Sequence, residues 1–141
     1  SIDPMPYQLI DHTADLGIKA SGATLAELFE TIAAAMFDQI VETRQLKGLG
    51  RTRVDITGID REDLMISWLR ELLFLWNGRE MLVKRIAIKT ISETAVSAVV
   101  TYDPYDPQKH EILTDIKAVT YHAVQVEKSG AGWEASVIFD V

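Results

Sequence analysis

Thr24-Leu25-Ala26-Glu27-Leu28-Phe29-Glu30-Thr31-Ile32-Ala33-Ala34-Ala35-Met36-Phe37-Asp38-Gln39-Ile40-Val41 is the stretch on which the fold turns. Leu25, Leu28, Ile32, Met36 and Ile40 recur at steps of three and four, and Phe29, Ala33 and Phe37 widen the stripe into a face made for burial. Thr24 with Glu27 three residues on forms a capping box, so a helix is expected to start there and run to about Val41. On its N-terminal side, Ser21-Gly22-Ala23 is a turn, and residues 7–20 read as two short strands around the break Asp11-His12-Thr13-Ala14-Asp15. On its C-terminal side, residues 44–50 form a loop, and Thr52, Val54 and Ile56 alternate with Arg51, Arg53 and Asp55 as a half-buried strand. Asp60 caps a second helix carrying Leu64, Trp68, Leu72 and Trp76 on one face, and Asn77-Gly78 is expected to give a left-handed stop. After it come only strands, at Val83–Ile91, Thr94–Tyr102, Ala118–Glu127 and Trp133–Val141, with a loop from Asp103 to Asp115.

This order, with hairpin-like spacings, gives an α+β class: two amphipathic helices packed on a mainly antiparallel sheet around one core. A strand-helix-strand pattern occurs twice and suggests a duplicated unit. The chain of 141 residues reads as one domain, with residues 1–4 ahead of Met5 as an artificial leader.

Composition narrows the function. With 48% hydrophobic residues the chain can bury a real core, which excludes native disorder. The absence of cysteine removes disulfides, thiolate metal sites and thiol chemistry. A net charge of -7 is the wrong balance for gripping phosphate backbones, so no direct nucleic-acid binding is expected. No apolar run is long enough to span a bilayer and no signal-peptide pattern opens the chain, so the expected address is the cytoplasm, away from membranes.

Three places could carry chemistry. In the break 11–15, His12 and Asp15 could bind a hard cation or move protons, while the plainer alternative is a capped turn. The long loop holds Lys109-His110-Glu111, in which His110 with Glu111 is too common a pair to signify zinc without a third ligand. The last strand ends on Asp140-Val141, whose side-chain and main-chain carboxylates would be paired oxygen donors needing a third, and Lys117 stands at a strand entrance. Phosphate-binding glycine loops, nucleophile elbows and paired helical histidines are absent, which weighs against a self-contained enzyme.

Asp11-His12-Thr13-Ala14-Asp15-Leu16-Gly17-Ile18, Lys117-Ala118-Val119-Thr120-Tyr121-His122 and the ending Asp140-Val141 together resemble the archease family, over about Tyr7 to Val141. The resemblance implies a duplicated strand-helix-strand-strand fold and an accessory role, not an enzyme. It implies a protein that promotes guanylylation and multiple turnover of the GTP-dependent RNA ligase of tRNA splicing and RNA repair. It further implies a divalent cation, calcium with magnesium or manganese as alternatives, held by Asp15, Asp140 and Val141. Lys117 would be the functional lysine, with His12 and His110 facing the partner. Two alternatives stand beside it: a chaperone for a tRNA methyltransferase or other clients, and a metal-dependent hydrolase.

Overall fold

The computed structural model describes residues 6–12 and 15–141, with Asp11 and His12 described in their backbone only. The chain runs β1 (Tyr7–His12), β2 (Asp15–Gly22), α1 (Leu25–Ile40), a 3-10 turn (Thr43–Gln45), β3 (Gly50–Thr57), α2 (Arg61–Asn77), β4 (Met81–Ile91), β5 (Ala95–Pro104), β6 (Ala118–Ser129) and β7 (Gly132–Asp140). Both helix starts are capped as the sequence predicts: the Thr24 hydroxyl accepts the Glu27 N–H (3.1 Å) and the Asp60 carboxylate accepts the Asp63 N–H (2.8 Å). Such a cap is worth about 1 kcal/mol.

The strands form two antiparallel sheets rather than the single sheet expected, ordered β1-β2-β7-β6 and β3-β5-β4. The two sheets share one topology. In each, a strand leads through a helix to two further strands, and the last of these inserts between the first and second: β2-α1-β6-β7 in one, β3-α2-β4-β5 in the other. The second unit is inserted between α1 and β6 of the first, so the duplication is nested, not tandem. Gly22 and Gly58 mark equivalent points. A Cβ on Gly22 would fall 2.5 Å from the Leu28 amide nitrogen, and one on Gly58 2.6 Å from that of Leu64, so each strand can enter its helix this closely only through glycine.

Each helix packs against both sheets, α1 on β2 and β4, α2 on β6 and β4. This explains why α1 is apolar over so much of its circumference: Leu28, Phe29, Ile32, Ala33, Met36, Phe37 and Ile40 are all buried. Trp68 is fully buried and donates its indole N–H to the Phe29 carbonyl (3.0 Å), tying α2 to α1.

Two local expectations are corrected. Gly78 is right-handed (φ -97°), and the left-handed residue past α2 is Glu80 (φ 55°). Gly78 is needed for space, since a Cβ there would lie 2.4 Å from the Phe74 ring. As successive residues of β6, Tyr121 and His122 should point to opposite faces, one towards the core, but both are exposed. They sit where the β6–β7 register shifts between Thr120 and Gln125, with Ala123 left-handed (φ 55°), and such a bulge breaks the two-residue period.

Candidate functional site

The register of the first sheet decides where the sequence-predicted site residues fall. β1 pairs with β2 so that His12 opposes Asp15, β2 pairs with β7 so that Asp15 opposes Asp140, and β7 pairs with β6 so that Asp140 opposes Ala118. Residues directly opposite share a face, so these four positions form one row across four strands. The face is the one turned away from the helices, because the neighbouring positions Ile18, Val137 and Phe139 are in the core.

In such a row opposed Cβ atoms stand about 4.5–5.5 Å apart, and like charges placed there are unfavourable. Asp140 is exposed and Asp15 half-buried. Ala118 at the end of the row adds no bulk beside Asp140. The row beneath is Ile10, Gly17, Ile138 and Thr120. A Cβ on Gly17 would lie 3.0 Å from Ile10 Cβ and 3.3 Å from Ile138 Cδ1, so the missing side chain lets these two close into an apolar floor. Ile138 is 6% exposed although it points away from the helices.

Lys117 joins this end of the sheet through its backbone, its N–H donating to the Asp140 carbonyl (2.8 Å). That bond ties Lys117 to the last residue of β7, next to Val141 in sequence, and Lys117 and Val141 are both exposed. The structure thus gathers Asp15, Asp140, Val141 and Lys117 at one sheet end. The His12 side chain and Thr13-Ala14 lie outside the described residues. Among the described residues no three His, Asp or Glu side chains form a metal cluster. The opposed carboxylates of Asp15 and Asp140 are oxygen donors of the kind a hard divalent cation takes.

His110 lies elsewhere. Its Nδ1 accepts the Asp106 N–H (3.0 Å), and its ring stacks on Tyr105, which meets Trp76 edge-on. It lines a cavity of about 630 Å³ with Gln45, Lys47, Leu49, Tyr105 and Lys109 at the end of β3-β5-β4. Among the described residues no strand pairing joins it to the Asp15 row.

The residue that shapes this cavity is Asp103, the first residue of the loop the sequence predicts. It is 4% exposed, and its carboxylate accepts the N–H groups of Lys47 (2.8 Å), Gly48 (2.6 Å) and Leu49 (3.1 Å). Burial pushes its carboxyl up, but the three amide donors, with nearby His110, outweigh burial and hold it below the ordinary carboxylate value. The left-handed Gly48 (φ 75°) within a short loop was the available signal. A second unforeseen group surrounds the β6 bulge. The Tyr121 hydroxyl donates to Asp63 (2.6 Å), Arg70 lies over the Tyr121 ring (4.7 Å), and Arg70 Nε donates to the Val119 carbonyl (3.1 Å). The Tyr121 bond, followed by the Ile59 N–H, lowers the Asp63 carboxyl below its usual value.

Nested strand-helix-strand-strand units, with an acidic row at the end of the first, define the class of protein. The chain belongs to the Archease protein family (MTH1598/TM1083), whose family model matches residues 7–141. It is 37% identical over 139 residues to the protein archease of Methanosarcina acetivorans, covering 96% of this chain and 95% of the relative. It is 33% identical to that of Pyrococcus furiosus, covering 96% and 98%. Among solved structures, protein 1598 of Methanobacterium thermoautotrophicum is similar at a TM-score of 0.84 and 30% identity, covering 98% of this chain and all of that one. An archease of Thermotoga maritima, described as a "possible chaperone", shares the fold at a TM-score of 0.66 and 23% identity, covering 94% of each. Among the described residues no helix is long and apolar enough to cross a membrane.

Proposed function

We propose that this protein is an accessory factor, not itself a catalyst, that acts in the cytoplasm on the GTP-dependent RNA ligase of tRNA splicing and RNA repair. It would promote guanylylation of the ligase and its multiple turnover. The observation that carries the reading is the register that sets Asp15 opposite Asp140 at the strand end where Lys117 is pinned.

Asp15, Asp140 and Val141 would hold a divalent cation, calcium or in its place magnesium or manganese. Such an ion, when bound, supplies positive charge against a triphosphate. The protein's own part is positional. The pairing of β2 with β7 fixes the two opposed aspartates, the Ile10–Ile138 floor lies along one side of them, and Lys117, bonded to the end of β7, offers a cation to a phosphate or a ligase carboxylate. The acidic body suits approach to a basic ligase groove, where complementary potentials speed encounter and set orientation. His12 and His110 would face the partner from two different places.

The test is ligase guanylylation and multiple-turnover ligation with substoichiometric amounts of this protein. Wild type is expected to accelerate both, and Asp15→Ala to abolish the acceleration. An unimpaired Asp15→Ala ends the reading. A second reading, a chaperone for a tRNA methyltransferase or other clients, is favoured by the description of the Thermotoga maritima relative. It predicts suppression of client aggregation that is indifferent to Asp15.

A further inference from the structure

The charge of the chain is unevenly spread. The protein carries 14 basic and 21 acidic residues, yet residues 47–57 and 81–91, which supply β3, β4 and the loop entering β3, hold six basic residues and one acid. On β5 the only acid, Asp103, is buried under the 47–49 loop. On β3 the positions turned from the core are Arg51, Arg53 and Asp55, opposite Thr101, Val99 and Ser97 of β5. Thr101 in turn opposes Arg85, and Val99 opposes Ala87. Arg51, Thr101 and Arg85 therefore form one row, with the two arginines on the outer strands about 10 Å apart and Arg53 about 7 Å along β3 from Arg51.

The lone acid on this face does not oppose the field. Asp55 is held by Arg53 (3.0 Å) and by the Ser97 hydroxyl (2.5 Å), which keep its carboxyl ionised and locally neutralised. Arg51 and Arg85 are exposed and make no ion pair among the described residues. Lys47 and Lys84 extend the cationic surface at the same end, since Gly48 lies against Thr101 and Lys84.

We propose that the outer face of β3-β5-β4 docks the phosphate backbone of double-stranded RNA, by charge and shape instead of base sequence. Planar guanidinium groups match phosphate in two-point contacts, and the short side chains Ala87 and Val99, in the row of Arg53, leave room for a backbone to approach beside the 47–49 loop that covers the Thr101 hydroxyl. The face has no aromatic residue, so it cannot stack unpaired bases as single-strand platforms do. None of the exposed large apolar side chains lies on these three strands, and exposed Leu49 in the loop entering β3 stands at the edge of the face, so its centre lacks the apolar anchors of a protein interface. The inference stands apart from the proposed ligase role, because it uses the second repeat and none of the acidic row.

The experiment is fluorescence anisotropy of a labelled RNA hairpin with a stem of about 16 base pairs. With three phosphates contacted, affinity is expected to fall about 40-fold between 50 and 200 mM salt. The double variant Arg51→Ser, Arg85→Ser should bind about tenfold more weakly at 50 mM, with a flatter salt slope and unchanged melting temperature. Asp15→Ala should bind RNA as wild type does. Absence of binding at 50 mM, a double variant that binds normally, or tighter binding of unpaired RNA or poly-glutamate would each overturn the proposal.

Discussion

If Asp15 and Asp140 share a cation, heat should reveal it before any ligase is added. The two carboxylates are opposed across β2 and β7, an arrangement that costs about 0.2–1 kcal/mol without a counter-charge. A ligand that binds only the folded chain stabilises it by about 2.7 kcal/mol at a hundredfold excess over its dissociation constant. For a chain of this size each kcal/mol moves the melting temperature by about 3–4 °C, so saturating metal should raise it by about 8–11 °C. Asp140→Asn should behave oppositely in the two conditions. In chelator it removes the like-charge pair and should leave stability unchanged or raised by up to about 1 kcal/mol. In metal it should lose most of the upward shift, as should Asp15→Asn. The assay is thermal unfolding followed by circular dichroism in chelator, calcium, magnesium and manganese. A wild type indifferent to all three ions, or variants that respond as wild type does, would refute the site.

The rest concern the second repeat. Asp103→Asn should destabilise the fold by about 2–4 kcal/mol at pH 7, because a neutral amide replaces a buried carboxylate that accepts three backbone N–H bonds. The folded-state value of this carboxyl is lowered, so its stabilisation is present above the unfolded value of about 3.9 and is lost as pH falls through the folded one. Urea unfolding should therefore show the wild type and variant converging in acid, and a gap that persists there would refute this cause. Thr101→Val should raise stability by about 1 kcal/mol, since the Thr101 hydroxyl is buried with no partner among the described residues; a lower urea midpoint would contradict it.

Most of the fold was legible because its elements obey their own periods. The helices announced themselves by three- and four-residue spacing with real caps, and helix boundaries fell within a residue of expectation. What the sequence hid was the division into two sheets. Strand pairing is a long-range choice, and alternation shows that a strand has a buried face without naming its neighbour. The bulge at 121–124 was hidden for a related reason. A residue such as Ala123 in the left-handed region carries no mark in its own side chain, and an insertion in one strand shows only when its partner is known.

The site residues divide along the same line. Asp15, Asp140, Val141 and Lys117 could be singled out because each stands at or beside a predicted strand end, but their meeting depends on β7 inserting between β2 and β6. Nesting makes that possible: the whole second unit is carried between α1 and β6, so strands far apart in sequence become neighbours across β7. It also gives the two sheets different outer faces. The first ends in opposed aspartates, the second in arginines flanking Thr101. A net charge of -7 averages these two faces into one number, and the average conceals the fact most useful for function, that the row of opposed aspartates on one sheet and the arginine row on the other carry opposite charge.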